Sequence, residues 1–155
     1  MKILNKKEIK EIESKIEEIY DAKNSLEGFT IMTTGKKEKI WITNRDVFKI
    51  DLEKLRINSI GLYFGRIDSG KIKLSVEGSI IVGAKAKNGI IKINEEQLWD
   101  FIRGFDINLL NPGENKRDYV LVKYEKNWIG IGKIDDGILK NALPKSRKIQ
   151  SLTKQ

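Results

Sequence analysis

The residues of this chain that could do chemistry are concentrated at its end. From Lys140 to Gln155 there is no acidic residue, and the five cations are Lys140, Lys145, Arg147, Lys148 and Lys154. The whole chain has a formal net charge of +8, so much of the excess lies in this one segment. Ammonium and guanidinium groups without local carboxylates favour contact with phosphate oxygens. We call residues 140–155 the basic tail and predict that it binds a phosphate-bearing partner.

A second acid-free stretch runs from Ser79 to Ile93 and contains Lys85, Lys87 and Lys92. A charge run is most often just a solvated face, but two acid-free stretches in one small chain favour a nucleic-acid partner. Aromatic side chains can stack on bases. Trp99 is expected in the core because it lies in an apolar helical pattern, which leaves Trp41 and Trp128 as the lesser candidates for stacking.

The composition includes few of the residue types that usually carry out catalysis. The chain has no cysteine and no histidine, which removes thiolate nucleophiles, the commonest general base and the commonest metal ligand. The segment from Gly65 to Lys71 resembles a P-loop, but Ile72 stands where Ser or Thr must hold magnesium. Neighbouring carboxylates rarely converge on one substrate atom, so solvated faces and turns explain the pairs Glu17-Glu18, Glu95-Glu96 and Asp135-Asp136. We predict no enzyme activity, no catalytic residue, no metal and no cofactor.

The periodicity of the apolar residues predicts an α+β protein. An isoleucine stripe at helical spacing from Ile9 to Tyr20 predicts a first helix, capped at Asn5, that packs on a sheet. The first set of strands is predicted at 29–34, 39–43, 57–67, 71–76 and 80–82, with turns at 35–37 and 68–70. After them come a strand at 90–93, a helix from Asn94 to Gly104, a loop at 111–113, a hairpin of 119–124 with 128–134, and a final strand after a turn at 135–137. Many short strands with one inserted helix predict a small mixed barrel.

Four sequence blocks carry a family resemblance. They are GLYFGR at 61–66, LSVEG at 74–78, FIRGFDI at 101–107, and a last block at 130–147 with Gly130-Ile-Gly132-Lys133, Asp136-Gly137, Leu139-Lys140-Asn141 and Leu143-Pro144-Lys145. In this order they resemble the C-terminal region of the Nop/Sun family of RNA cytosine-5 methyltransferases. The resemblance implies an N-terminal α/β pre-PUA-like unit at residues 1–87, followed by a PUA-like mixed β-barrel at residues 88–155.

The same resemblance implies RNA recognition without methyl transfer. The family's catalytic domain binds S-adenosylmethionine and attacks the base with a cysteine, a residue that this chain lacks. The expected mechanism is recognition of the shape and backbone of a structured RNA, tRNA or rRNA, with main-chain groups near Gly104 and Gly132 admitting a nucleotide. The predicted RNA-binding residues are Arg66, Lys85, Lys87, Arg103, Gly104, Lys140, Asn141, Lys145, Arg147 and Lys148.

The predicted partners are this RNA and an RNA-modifying enzyme or an assembling ribosome. Without a signal peptide or an apolar run long enough to span a membrane, we expect a cytoplasmic protein. The main alternative is a protein-interaction module whose basic tail docks on an acidic partner. A small enzyme that uses only carboxylates and lysine is the weaker alternative.

Overall fold

The computed structural model describes residues 1–35, 38–46, 61–109 and 119–149. Within these ranges the protein has three α-helices and ten strands, and the strands form two five-stranded sheets. This confirms the predicted α+β class. The elements in chain order are β1 (Lys2–Ile3), α1 (Lys6–Tyr20), β2 (Phe29–Thr34), β3 (Lys39–Asn44), β4 (Leu62–Asp68), β5 (Lys71–Leu74), α2 (Val76–Gly83), β6 (Ile90–Lys92), α3 (Glu95–Ile102), β7 (Ile107–Asn108), β8 (Tyr119–Tyr124), β9 (Asn127–Asp135) and β10 (Ile138–Asn141).

The first sheet has the order β1-β2-β3-β4-β5 with antiparallel pairing throughout. Helix α1 begins at the predicted cap, where the Asn5 side chain accepts from the Glu8 amide at 2.9 Å and the Glu8 carboxylate accepts from the Asn5 amide at 2.9 Å. Its buried face, with Ile16 fully enclosed, packs on the alternating apolar residues of the strands. Because side chains alternate between the faces of a strand, the residues between these apolar positions face away from α1.

Residues 80–82, predicted as a strand, belong instead to helix α2. The Ser75 hydroxyl accepts from the Gly78 amide at 2.9 Å and donates to the Tyr63 carbonyl at 2.6 Å, so it caps the helix and anchors it to β4. The apolar residues of α2 show no stripe, since Ile80 is 48% exposed and Val82 is fully buried. The predicted strand at 71–76 accordingly ends at Leu74.

The second sheet has the order β6-β8-β9-β10-β7, in which β6 and β8 are parallel and the other pairs are antiparallel. One of the two sheets curls into a half-barrel. Helix α3 starts at an Asn94 capping box and buries Phe101 completely. The turn after β9 places Asp136 and Gly137 at positive φ. The predicted hairpin, the inserted helix and the final strand are therefore confirmed.

The buried core joins the two sheets. The cluster beneath α1 also contains Leu121 of β8 and Ile131 of β9, and the Tyr20 hydroxyl donates to the Tyr119 carbonyl at 2.8 Å. A second buried cluster consists of residues between Ile93 and Leu143, while the first cluster contains residues from both sides of residue 87. The boundary between residues 87 and 88 stays a prediction.

Several predicted features lie outside the described residues. These are residues 57–60 of the long strand, residues 36–37 of the first turn, the loop at 111–113, and Lys154 of the basic tail. The described part of the long strand is β4, and the turn at Ser69 and Gly70 that follows it leads directly into β5. This hairpin confirms that the segment from Gly65 to Lys71 is not a P-loop, because a P-loop must lead into a helix.

Candidate nucleic-acid interface

The described part of the basic tail is fixed to the rest of the protein. After Pro144, residues Lys145–Arg147 form one 3₁₀ turn. The Arg147 guanidinium forms an ion pair with Glu77 in the first turn of α2. The Ile149 amide donates to the Ile102 carbonyl at 2.7 Å. These contacts hold the backbone of residues 144–149 between α2 and the end of α3, so its cations project from an ordered segment.

Lys148 lies against the predicted site residue Gly104. A Cβ atom on Gly104 would lie 2.8 Å from Cδ of Lys148, so the glycine makes room for the aliphatic part of this lysine. Gly104 also has a φ of 95°, in a region that L side chains rarely adopt. Gly132 similarly makes room for Leu139, whose Cδ1 would be 2.6 Å from an added Cβ. Protein atoms thus fill the space beside the Gly132 Cα atom, and close approach of a nucleotide at Gly132 stays a prediction.

Asn141, another predicted RNA-binding residue, is committed to internal hydrogen bonds. Its side-chain amide donates to the carbonyls of Phe101 at 2.7 Å and Phe105 at 3.1 Å. Its side-chain oxygen accepts from the Leu143 amide at 3.0 Å. Asn141 thus ties strand β10 to the end of α3 and to the start of the tail. Its neighbour Lys140 is exposed and lies 3.5 Å from the carboxylate of Asp106.

The end of α3 carries an exposed aromatic and cationic surface. Trp99 is 49% exposed and Phe105 is 59% exposed, and the Arg103 guanidinium lies 5.9 Å from the centre of the Trp99 ring. The prediction that Trp99 lies in the core is wrong, because Phe101 fills the core beneath this short helix and Trp99 lies on another side. Arg103 therefore adjoins an aromatic face next to the basic tail, which is a geometry suited to stacking on a base.

Lys85 and Lys87 lie on the connection between α2 and β6, and both are exposed. The Lys85 ammonium donates to the Asn24 carbonyl at 2.7 Å. The backbone amide of Lys87 donates to the Tyr20 carbonyl at 2.9 Å. No hydrogen bond or ion pair between described residues joins either lysine to the basic tail.

The other two tryptophans pack within the protein. The Trp41 indole N–H donates to the Thr34 hydroxyl at 2.9 Å, and its ring lies 5.2 Å from the Tyr63 ring. Trp128 lies directly on Gly83 of α2, and the Lys123 ammonium is 4.7 Å from its ring centre. Both indoles are half-buried, so each presents only part of its surface to a partner.

The predicted site residue Arg66 lies near charged and aromatic residues that the sequence patterns did not single out. It pairs across the strands with Lys73 and lies 3.3 Å from the carboxylate of Asp68. The ammonium groups of Lys73 and Lys133 lie 5.4 Å and 5.6 Å from the centre of the Tyr119 ring. The only hint in the sequence was the alternation of lysine with apolar residues in β5, which marks Lys73 as facing away from the core.

The pKa shifts at this second cluster reflect crowding of cations at a half-buried place. Burial lowers the pKa of Lys73, and the neighbouring charges of Arg66 and Lys133 lower it further, while Asp68 acts in the opposite direction. Burial and the charge of Asp68 raise the pKa of the Tyr119 hydroxyl. The cluster therefore has a local excess of positive charge that an anionic partner would relieve.

Two features of the described residues bear on other functions. In that part of the chain, no group of three or more carboxylates is arranged to hold a metal ion. No helix within the same ranges is long and apolar enough to cross a membrane.

Comparisons with known proteins bear on the fold and on the resemblance of this chain to a family. Residues 88–149 match the sequence model of the family described as the methyltransferase RsmF PUA domain. This segment is similar to the PUA domain of that family, and the two-sheet α+β fold is consistent with a PUA-like fold. The resemblance to the C-terminal region of the Nop/Sun methyltransferases is thereby confirmed.

Two curated relatives extend the similarity beyond this domain. Ribosomal RNA small subunit methyltransferase F of Aeromonas salmonicida is 26% identical over 111 residues, covering 72% of this chain and 23% of the relative. Ribosomal RNA small subunit methyltransferase F of Aeromonas hydrophila is 27% identical over 114 residues, with the same coverage of 72% and 23%. The chain thus spans about a quarter of the length of the curated relatives it matches.

Proposed function

We propose that this protein binds structured RNA, either rRNA or tRNA, as an accessory factor in RNA modification or ribosome assembly. The observation that carries the proposal is the match of residues 88–149 to the PUA domain of RsmF methyltransferases. Relatives named for methylation of small-subunit ribosomal RNA make rRNA the first candidate. A cytoplasmic location is part of this proposal.

The proposed mode of binding is electrostatic recognition of the RNA backbone. Lys145, Arg147 and Lys148 project from a tail segment that is held at both ends, so little conformational freedom of the backbone is lost on binding. Each cation that contacts a phosphate releases counterions, which makes the affinity strongly dependent on salt. Lys140 is the first cation of the tail, and Arg103 lies beside the tail at the end of α3. The exposed Trp99 ring offers a stacking surface beside them.

Catalysis is not part of the proposed role. The chain contains no cysteine for attack on a pyrimidine and no histidine. Its matched region corresponds to the PUA part of proteins named as methyltransferases. We propose that it presents RNA to a separate RNA-modifying enzyme, or to an assembling ribosomal particle.

The tail is tested by replacing Lys145, Arg147 and Lys148 together with alanine. The slope of log K against log salt, measured by fluorescence anisotropy with labelled bulk tRNA and rRNA fragments, should become shallower by about two. We expect about two rather than three because Arg147 must exchange its ion pair with Glu77 for a phosphate contact. The folded state should persist, since exposed substitutions usually change stability by less than about 0.5 kcal/mol.

The matched control removes the same charge from the exposed face of α1. Lys6, Lys7 and Lys10 are exposed on α1, and their replacement with alanine should leave the salt slope nearly unchanged. An equal loss in both variants would show a nonspecific effect of net charge. If the protein binds polyglutamate as tightly as RNA at physiological salt, the protein-docking alternative would be favoured instead.

A further inference from the structure

A row of cations crosses the outer face of the first sheet, on the side away from α1. Lys39 of β3 pairs with Arg66 of β4, and Arg66 pairs with Lys73 of β5. Residues directly opposite each other on neighbouring strands place their side chains on the same face of the sheet, with Cβ atoms about 5 Å apart. Ile72 and Leu74, which flank Lys73 in β5, are buried in the core beneath α1. Lys73 therefore points to the opposite, outer face, together with Lys39 and Arg66.

Tyr119 continues this row onto the second sheet. The ammonium groups of Lys73 and Lys133 are both held near its ring, at 5.4 Å and 5.6 Å from the ring centre. Tyr119 and Lys133 are cross-strand partners in β8 and β9, and Lys133 is in turn the partner of Lys140 in β10. The result is one continuous line across two sheets, which we call the cross-sheet row: Lys39, Arg66, Lys73, Tyr119, Lys133 and Lys140.

The charge of the cross-sheet row is only partly neutralised. Asp68 lies beside Arg66, and Asp106 lies beside Lys140. These carboxylates partly neutralise one cation toward each end of the row. Between them, Lys73 and Lys133 form no ion pair with any described residue. A cation–π contact orients an ammonium group without cancelling its charge. The centre of the row thus keeps two oriented cations that are open to an anionic partner.

We infer that the cross-sheet row binds the sugar-phosphate backbone of RNA, as a second contact surface beside the basic tail. The inference rests on the proposed RNA-binding function and specifies where and how the RNA lies. Cations at regular strand spacing form a line, which suits a polymer with a regular series of phosphates. Lys140 belongs to the row and also begins the basic tail, so the two surfaces are continuous.

The position of the cross-sheet row determines which parts of the protein a bound RNA would contact. The row begins on the first sheet and ends on the second, so an RNA strand bound along it contacts both sheets at once. The residues outside the PUA match would then contribute directly to RNA binding through Lys39, Arg66 and Lys73. This assigns a binding role to the first sheet in addition to its packing against the PUA domain.

The test is the double substitution Lys73→Gln with Lys133→Gln in the full chain. Removing two phosphate contacts should make the slope of log K against log salt shallower by about 1.5, and weaken binding of labelled bulk tRNA by at least about tenfold at moderate salt. The matched control, Lys7→Gln with Lys10→Gln on α1, removes the same charge and should change neither quantity appreciably. The charge-retaining variant Lys73→Arg with Lys133→Arg should keep the slope of the unmodified protein.

The possible outcomes distinguish failure of the cross-sheet row as a binding surface from failure of the proposed RNA-binding function. If the unmodified protein binds RNA with a steep salt slope, and the Lys73 and Lys133 variant binds equally well, the inference is overturned while the proposed function stands. If the unmodified protein does not bind RNA, the proposed function itself fails. An equal loss in the α1 control would also overturn the row as a specific surface. Ultraviolet crosslinking gives a second readout, in which RNA should attach to the peptide that contains Tyr119.

Discussion

Asn141→Ala should lower the free energy of unfolding by about 2–4 kcal/mol, although this residue was predicted from the sequence to bind RNA. The substitution removes three side-chain hydrogen bonds, to Phe101, Phe105 and Leu143. Each net bond contributes about 0.5–1.5 kcal/mol, and a partner left unsatisfied in a partly buried place costs more. Urea unfolding followed by far-UV circular dichroism measures the effect.

Two further variants serve as comparisons for Asn141→Ala. Asn141→Asp keeps the oxygen that accepts from Leu143 but turns a carboxylate toward two carbonyls, so it should also be destabilising. Lys140→Ala, one residue earlier and exposed, loses only a surface ion pair and should cost less than about 1 kcal/mol. Unchanged stability of Asn141→Ala together with weaker RNA binding would contradict the internal role and restore Asn141 to the binding surface.

Gly83→Leu should be the most damaging change at the contact between α2 and β9, costing about 3 kcal/mol of stability. The backbone of Gly83 lies directly under the Trp128 indole, so any Cβ atom there would collide with the ring. A leucine side chain must push Trp128 out of the cluster that joins the two sheets. Because leucine is intrinsically a better helix former than glycine by somewhat under 1 kcal/mol, the clash must exceed this gain. Thermal unfolding should show a decrease in Tm of several degrees.

The control for Gly83 is Ala84→Leu, which enlarges the exposed neighbouring residue. Its effect should stay within about 0.5 kcal/mol. Stability that is equal or higher in Gly83→Leu would show that α2 does not pack closely on Trp128. The two sheets would then be less tightly coupled than the structure indicates.

The parts of the fold that the sequence predicted correctly are those with a local signal. The cap at Asn5 and the isoleucine stripe identify α1, and the turn at Asp136 and Gly137 identifies the start of the last strand. Helix α2 gave no such signal, because its apolar residues lie on all sides and its position depends on Ser75 bonding to β4. Tertiary contacts of this kind override local propensity and are not visible in one sequence.

The candidate site was predictable in its charge and not in its geometry. The absence of acids marked the basic tail, but nothing local showed that Arg147 pairs with Glu77 or that Asn141 bonds internally. Lys73 and Lys133 are far apart along the chain. Each lies in a strand where polar and apolar residues alternate, a pattern that is common in half-buried strands and does not mark a binding site. Only the pairing of strands across two sheets brings them to either side of Tyr119. A charge pattern therefore predicts a class of partner, while register decides which cations act together.

The most direct test of the central claim is a salt titration of RNA binding by the unmodified protein. Labelled bulk tRNA and small-subunit rRNA fragments are titrated with protein at several salt concentrations, and log K is plotted against log salt. Contacts from the basic tail and the cross-sheet row together predict a straight line with a slope of about −4. Binding that is absent at physiological salt, or a slope near zero, would contradict RNA binding by this surface.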